Sequence, residues 1–201
     1  MYIARLLYPV KVLGPGNRIG IWFSGCSHRC PGCSNPELWE PQERYQTTAE
    51  LVMQLIDPIC AVHPVDGFTL TGGDPFMQPE ALKRLLPELS QISSDILVYT
   101  GFEYEDVCRT YPEIISQIGV LIDGRYVQER NTGTVLRGSD NQKIIVLNRQ
   151  LEDKYQHYLA SAQNEIQNFT ALDGVISVGI HKPGYEARVD TLLKGKGLEQ
   201  I

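Results

Sequence analysis

The sequence predicts an α/β protein, a mostly parallel sheet with flanking helices. Three observations predict it. Short apolar runs recur at Ile19–Phe23, Phe68–Thr71, Ile96–Thr100 and Val120–Ile122. Helical spacing separates them, as in Leu82, Leu85, Leu86 and Leu89. The runs also lead into glycine-bearing loops: Ser24-Gly25, Gly72-Gly73, Gly101 and Asp123-Gly124. Uninterrupted apolar strands are buried on both faces, as in a parallel sheet between helices. Ligands in such folds bind beyond the carboxyl ends of the strands, so these loops are expected to meet at one mouth.

In chain order, apolar residues around Tyr8–Leu13 precede a turn at Gly14-Pro15-Gly16-Asn17. The first strand, Ile19–Phe23, runs into a cysteine loop, Cys26–Cys33. A helix follows, started by a capping box of Thr47 and Glu50, with Leu51, Leu55, Ile56 and Ile59 on its core face and Pro58 breaking its last turn. After the strand Phe68–Thr71, the leucine-rich helix is expected to kink or end at Pro87. Next come the strand Ile96–Thr100, a helix within Tyr104–Ile118 and the strand Val120–Ile122. Arg125–Asn141 is a long polar loop, which in a small protein points to function. Lys143–Leu147 is a further strand. Residues 1–147 are taken as the core domain and 148–201 as an appendage. The appendage has a helix through Leu151, Tyr155, Tyr158, Leu159 and Ala162, a strand at Gly174–Ile180, and a loose tail at Lys194-Gly195-Lys196-Gly197.

Composition bounds the function. The 201 residues carry 18 Lys+Arg and 24 Asp+Glu, a net charge of −6. That acidity argues against a nucleic-acid binder, which needs a basic face. No apolar run approaches the ~18 residues of a membrane span, and the N-terminus has no signal-peptide core. A cytoplasmic location is expected. The five cysteines are an odd number, unlike a disulfide framework.

Three of those cysteines, Cys26, Cys30 and Cys33, follow the spacing Cys-x3-Cys-x2-Cys. One compact loop can aim three soft thiolates at one inorganic centre. Pro31-Gly32 makes its bend, and Gly25 admits close backbone approach. Three readings follow. The thiols are buried structural residues, or they hold zinc with His28 as a fourth ligand, or they hold a cubane iron–sulfur cluster with one iron left open. Cys60 and Cys108 fit plain apolar packing.

The loop resembles that of the radical S-adenosylmethionine (SAM) enzymes, and Leu70-Thr71-Gly72-Gly73-Asp74-Pro75 resembles their glycine-rich strand end. The chain resembles more closely the anaerobic ribonucleoside-triphosphate reductase activating enzymes, which are glycyl radical enzyme activases. Gly14-Pro15-Gly16, Ser24-Gly25-Cys26, Cys30-Pro31-Gly32-Cys33, Gly72–Pro75, Tyr99-Thr100-Gly101, Leu121–Gly124 and Arg137–Gln142 carry that similarity, in order, from about Tyr8 to Leu147. Two positions depart from wider patterns. Gly32 stands where many radical SAM enzymes have an adenine-contacting aromatic, and Asp74 where glycyl-radical activators often have Glu.

The resemblance implies an open, partial β/α barrel. It implies a [4Fe–4S] cluster on Cys26, Cys30 and Cys33, and S-adenosyl-L-methionine as cofactor. Gly72, Gly73 and Asp74 would hold the methionine amine. The backbone around Gly32, Cys33 and Ser34 would meet adenine, and Thr100 and Asp123 would meet ribose or carboxylate. It further implies a radical SAM oxidoreductase that makes a glycyl radical on a partner, an anaerobic ribonucleotide reductase, with an electron donor such as flavodoxin or ferredoxin. Two alternatives are a radical SAM enzyme acting on a peptide or small metabolite, and a non-enzymatic zinc-binding module.

Overall fold

The computed structural model describes residues 1–171 and 174–195. Its centre is a six-stranded sheet in the order β1-β2-β3-β4-β5-β6. The strands are β1 (Ile3–Val10), β2 (Arg18–Phe23), β3 (Gly67–Gly72), β4 (Ile96–Tyr99), β5 (Val120–Asp123) and β6 (Lys143–Val146). β2 to β5 are mutually parallel, while β1 and β6 are antiparallel edges. The apolar runs thus occupy the parallel centre, where every residue of β2 and β5 is buried. The long edge strand β1 starts well before the expected apolar stretch. Its residues are almost all half-buried, which leaves no apolar block to mark it.

One face of the sheet packs on α1 (Ala49–Val62), α2 (Pro79–Ile92), α3 (Tyr104–Thr110) and α4 (Pro112–Ile115), with Ile21, Phe23, Leu70, Val98 and Leu121 at the contact. Several local expectations are corrected. Thr48, not Thr47, caps α1: its hydroxyl accepts the Leu51 N–H at 3.3 Å. α1 buries Ala49, Val52 and Ile56 and turns Leu51 and Leu55 outward, 50% and 62% exposed. Both helices continue through their prolines, Pro58 and Pro87. The single helix expected within Tyr104–Ile118 is two. Pro112 pushes Tyr111 out of the helical region, to φ −134° and ψ 53°.

The other face of the sheet is covered by described residues that follow β6. Tyr155 of α5 (Glu152–Ser161) and Leu151 just before it pack against Leu97, Val120 and Ile122. A hairpin, β7 (Ile166–Ala171) and β8 (Gly174–Gly179), packs Val178, Ile176 and Phe169 on Val10, Leu13 and Trp22. α6 (Tyr185–Lys194) follows. β7 and α6 were not anticipated, and α6 takes in Lys194, assigned above to a loose tail. Lys196 and Gly197 of that tail lie outside the described residues. Among the described residues, no helix is long and apolar enough to cross a membrane.

Candidate functional site

The carboxyl ends of β2, β3 and β4 converge as the apolar runs require. Beyond β2, the Gly25 N–H donates to the Leu38 carbonyl at 2.8 Å and the Cys26 N–H to that of Trp39 at 2.7 Å. The cysteine loop is therefore pinned at its start. A turn closed by the Cys33 N–H on the Cys30 carbonyl (3.1 Å) brings the later two cysteines together. Arg125 donates to the His28 carbonyl at 2.5 Å, which ties the loop to the segment after β5.

The glycine-rich end of β3 is bonded to that same loop. The Gly73 N–H donates to Phe23 O at 2.7 Å and the Asp74 N–H to Gly25 O at 2.9 Å. Gly72 makes this crossing with φ +100°, and a Cβ there would lie 2.7 Å from Phe23 O, so only glycine fits. The Asp74 side chain is buried. Its carboxylate accepts the Phe76 N–H at 2.9 Å, the Gly101 N–H at 2.8 Å and the Thr100 hydroxyl at 3.0 and 3.1 Å. His28 Nε2 stands 3.0 Å from Asp74 Oδ2 without the alignment of a hydrogen bond. Its ring also meets Phe102 edge-on at 4.6 Å. Gly101 leaves room for that ring, since a Cβ there would lie 2.4 Å from it.

These residues line one cavity of about 400 Å³. Of those named from sequence, it gathers Cys26, Cys30, Cys33, Gly32, Ser34, Gly72, Gly73, Asp74 and Thr100. Asp123 is not among them. It is fully buried and accepts the Tyr104 N–H at 2.9 Å and the Lys143 N–H at 3.0 Å, so it braces the ends of β5 and β6. Its carboxylate lies near those of Glu103 and Glu105, and Lys143 Nζ stands 3.8–3.9 Å from all three. Gly138 and Gln142 of the Arg137–Gln142 stretch reach the lining. Tyr126, Gln128 and Asn131 were not singled out, nor were residues of the β8–α6 connection. Loop residues carry no periodicity, and the only available signal was the length and polarity of Arg125–Asn141.

The donor set suits a soft inorganic centre. Cys30 is buried and Cys26 and Cys33 half-buried. Burial pushes the Cys26 thiol up, and the Asp74 charge adds to this, while backbone N–H groups of His28 and Arg29 pull the other way. Burial likewise raises Cys33, opposed by the backbone N–H of Asn35, which donates to its sulfur at 3.4 Å. Donors aimed at two sulfurs stabilise thiolate ligands.

The fold and the thiol site thus describe a domain built around one iron–sulfur centre. A family model for a 4Fe-4S single cluster domain matches residues 12–145. The anaerobic ribonucleoside-triphosphate reductase-activating protein of enterobacteria phage T4 is 33% identical over 144 residues, covering 69% of this chain and 90% of the relative. Proteins of the same name from Salmonella typhi and Escherichia coli K12 are each 32% identical, covering 68% of this chain and 94% of the relative. The chain belongs to the family of anaerobic ribonucleoside-triphosphate reductase-activating proteins, with a 4Fe-4S cluster domain.

Proposed function

We propose that this protein is a radical SAM activase that forms a glycyl radical on an anaerobic ribonucleotide reductase in the cytoplasm. The six-stranded sheet is read as the open half-barrel of that superfamily. The observation that carries the proposal is the shared cavity: three cysteines stand beside a buried carboxylate held by neutral donors at a glycine-rich strand end.

A [4Fe–4S] cluster on Cys26, Cys30 and Cys33 would supply the electron that cleaves the carbon–sulfur bond of SAM, giving methionine and a 5′-deoxyadenosyl radical. The chain's own residues do the rest. Asp74 accepts from the methionine ammonium, with its oxygens oriented by Thr100, Gly101 and Phe76. Gly72 and Gly73 let the ligand approach the backbone. Gly32, Cys33 and Ser34 offer backbone beside the cluster for the adenine. The cavity keeps water and competing hydrogen donors from the reactive carbon. The partner's glycine suits the abstraction because no side chain blocks its Cα. Flavodoxin or ferredoxin is the proposed electron donor.

The test is electron paramagnetic resonance on the protein mixed anaerobically with its candidate reductase, SAM and a reductant. A doublet that collapses when the reductase glycines are deuterated at Cα is the expected result. Steady SAM cleavage without a protein radical, accelerated by a peptide or metabolite, would overturn the partner assignment.

A further inference from the structure

The matched cluster domain ends at residue 145, and the relatives are covered over 90–94% of their length by about two-thirds of this chain. The chain continues past that point into α5, the β7–β8 hairpin and α6. The hairpin lies on the sheet face opposite α1–α4 and is tethered on two sides. On the β1 side, Gln167 donates to Pro9 O at 2.6 Å and accepts the Lys11 N–H at 2.9 Å. On the loop side, Asn164 donates to the carbonyls of Gly133 and Thr134, and Asn131 donates to His181 O at 2.8 Å. Residues from Ile176 to Tyr185 line the same cavity as the cysteines and Asp74. It is stiffened at its end: His181 and Tyr185 stack with ring centroids 4.2 Å apart, and the Tyr185 hydroxyl donates to Ser177 Oγ at 3.2 Å.

We propose that Ile176–Tyr185 form a resident wall of the cofactor site, with the His181–Tyr185 turn closing part of the opening through which a substrate segment enters. A radical-forming pocket needs a dry surround. The family model that matches the cluster domain stops before this segment. Here part of that surround is built into the chain. The wall therefore helps hold SAM before the partner arrives. This inference rests on the proposed SAM site.

The experiment compares wild type with two variants. One lacks residues 165–201 but keeps α5. The other, Asn164→Ala with Gln167→Ala, cuts tethers on both sides without altering the cavity lining. Iodoacetamide alkylation of the metal-free proteins is followed at each cysteine by peptide mass spectrometry, with Cys60 and Cys108 as references outside the site. SAM affinity of the iron-loaded proteins is measured by anaerobic equilibrium dialysis. The expected result is alkylation of Cys26 and Cys33 about tenfold faster, with SAM affinity weakened about tenfold and the reference rates unchanged. Unchanged alkylation and affinity in a variant that melts cooperatively would overturn the wall. If the deletion does not fold, the tether variant decides. If iron-loaded wild type binds no SAM, the proposed function fails, and the alkylation rates still decide whether the wall exists.

Discussion

Two buried aspartates sit at opposite ends of the same parallel strands, and their partners differ in kind. Asp95, at the amino end, faces two cations. Arg18 Nη2 lies 3.0 Å away and Lys154 Nζ 2.6 Å away, and the Tyr155 hydroxyl donates at 2.7 Å. Arg18 is fully buried and also bonds Thr69, Pro15 and Phe68. Asp74, at the carboxyl end, is as deeply buried, but its donors are two amides and a hydroxyl, with His28 alongside. Asp95 is neutralised within the fold. Asp74 is oriented by two amides and a hydroxyl, with His28 Nε2 3.0 Å from Oδ2, and it lines the cavity. On the proposed reading, the carboxylate with its cations in place serves the fold, and the one held by dipoles at the cavity wall serves the cofactor.

The largest expected effect is at the carboxyl end. Cys26→Ala, Cys30→Ala or Cys33→Ala should abolish SAM cleavage and iron retention, read by iron analysis and methionine release. Cys60→Ala and Cys108→Ala should leave both intact. Next is the amino end. Asp95→Ala strands Arg18 as an unpaired buried charge and should cost about 3–5 kcal/mol of stability by denaturant melt, with iron binding kept in the folded protein. Loss of iron binding without loss of stability would break the division between the two ends.

Acid should separate them further. Burial alone would raise the Asp95 carboxyl, but Arg18, Lys154 and Tyr155 outweigh it and hold the carboxyl below its ordinary range. Its folded pKa is depressed, so its contribution is complete above the unfolded value of about 3.9 and is lost as pH falls through the folded value. Wild type should lose stability steeply below about pH 4, and Asp95→Asn should show a shallower acid slope in melts across that range. The smallest effect is Tyr155→Phe, which removes one donor from Asp95. It should cost about 1 kcal/mol in the same melts and leave SAM affinity unchanged.

How much of this was legible follows the physics of each part. The parallel strands and the loops at their carboxyl ends are readable because burial on both faces demands unbroken apolar runs. The thiol site is readable because its three cysteines lie within eight residues. The network around Asp95 is not: its members come from positions 18, 95, 154 and 155, and no spacing links them. The α1 core face was misread because apolar residues surround that helix, so Leu51 and Leu55 match the period as well as Ile56 does. Thr47 and Thr48 are chemically equal caps, and only the backbone turn chooses between them. Asp123 looked like a site residue because it follows a strand, but its carboxylate is engaged by two backbone amides.

The most direct test of the central claim is SAM binding to iron-loaded Asp74→Asn, which keeps the side-chain volume and removes the charge. Anaerobic equilibrium dialysis should show affinity weakened roughly 10- to 100-fold, matching about 1.5–3 kcal/mol for one charge-assisted hydrogen bond, with iron content unchanged. Wild-type affinity in that variant would show that the buried carboxylate at the cavity wall serves only the fold.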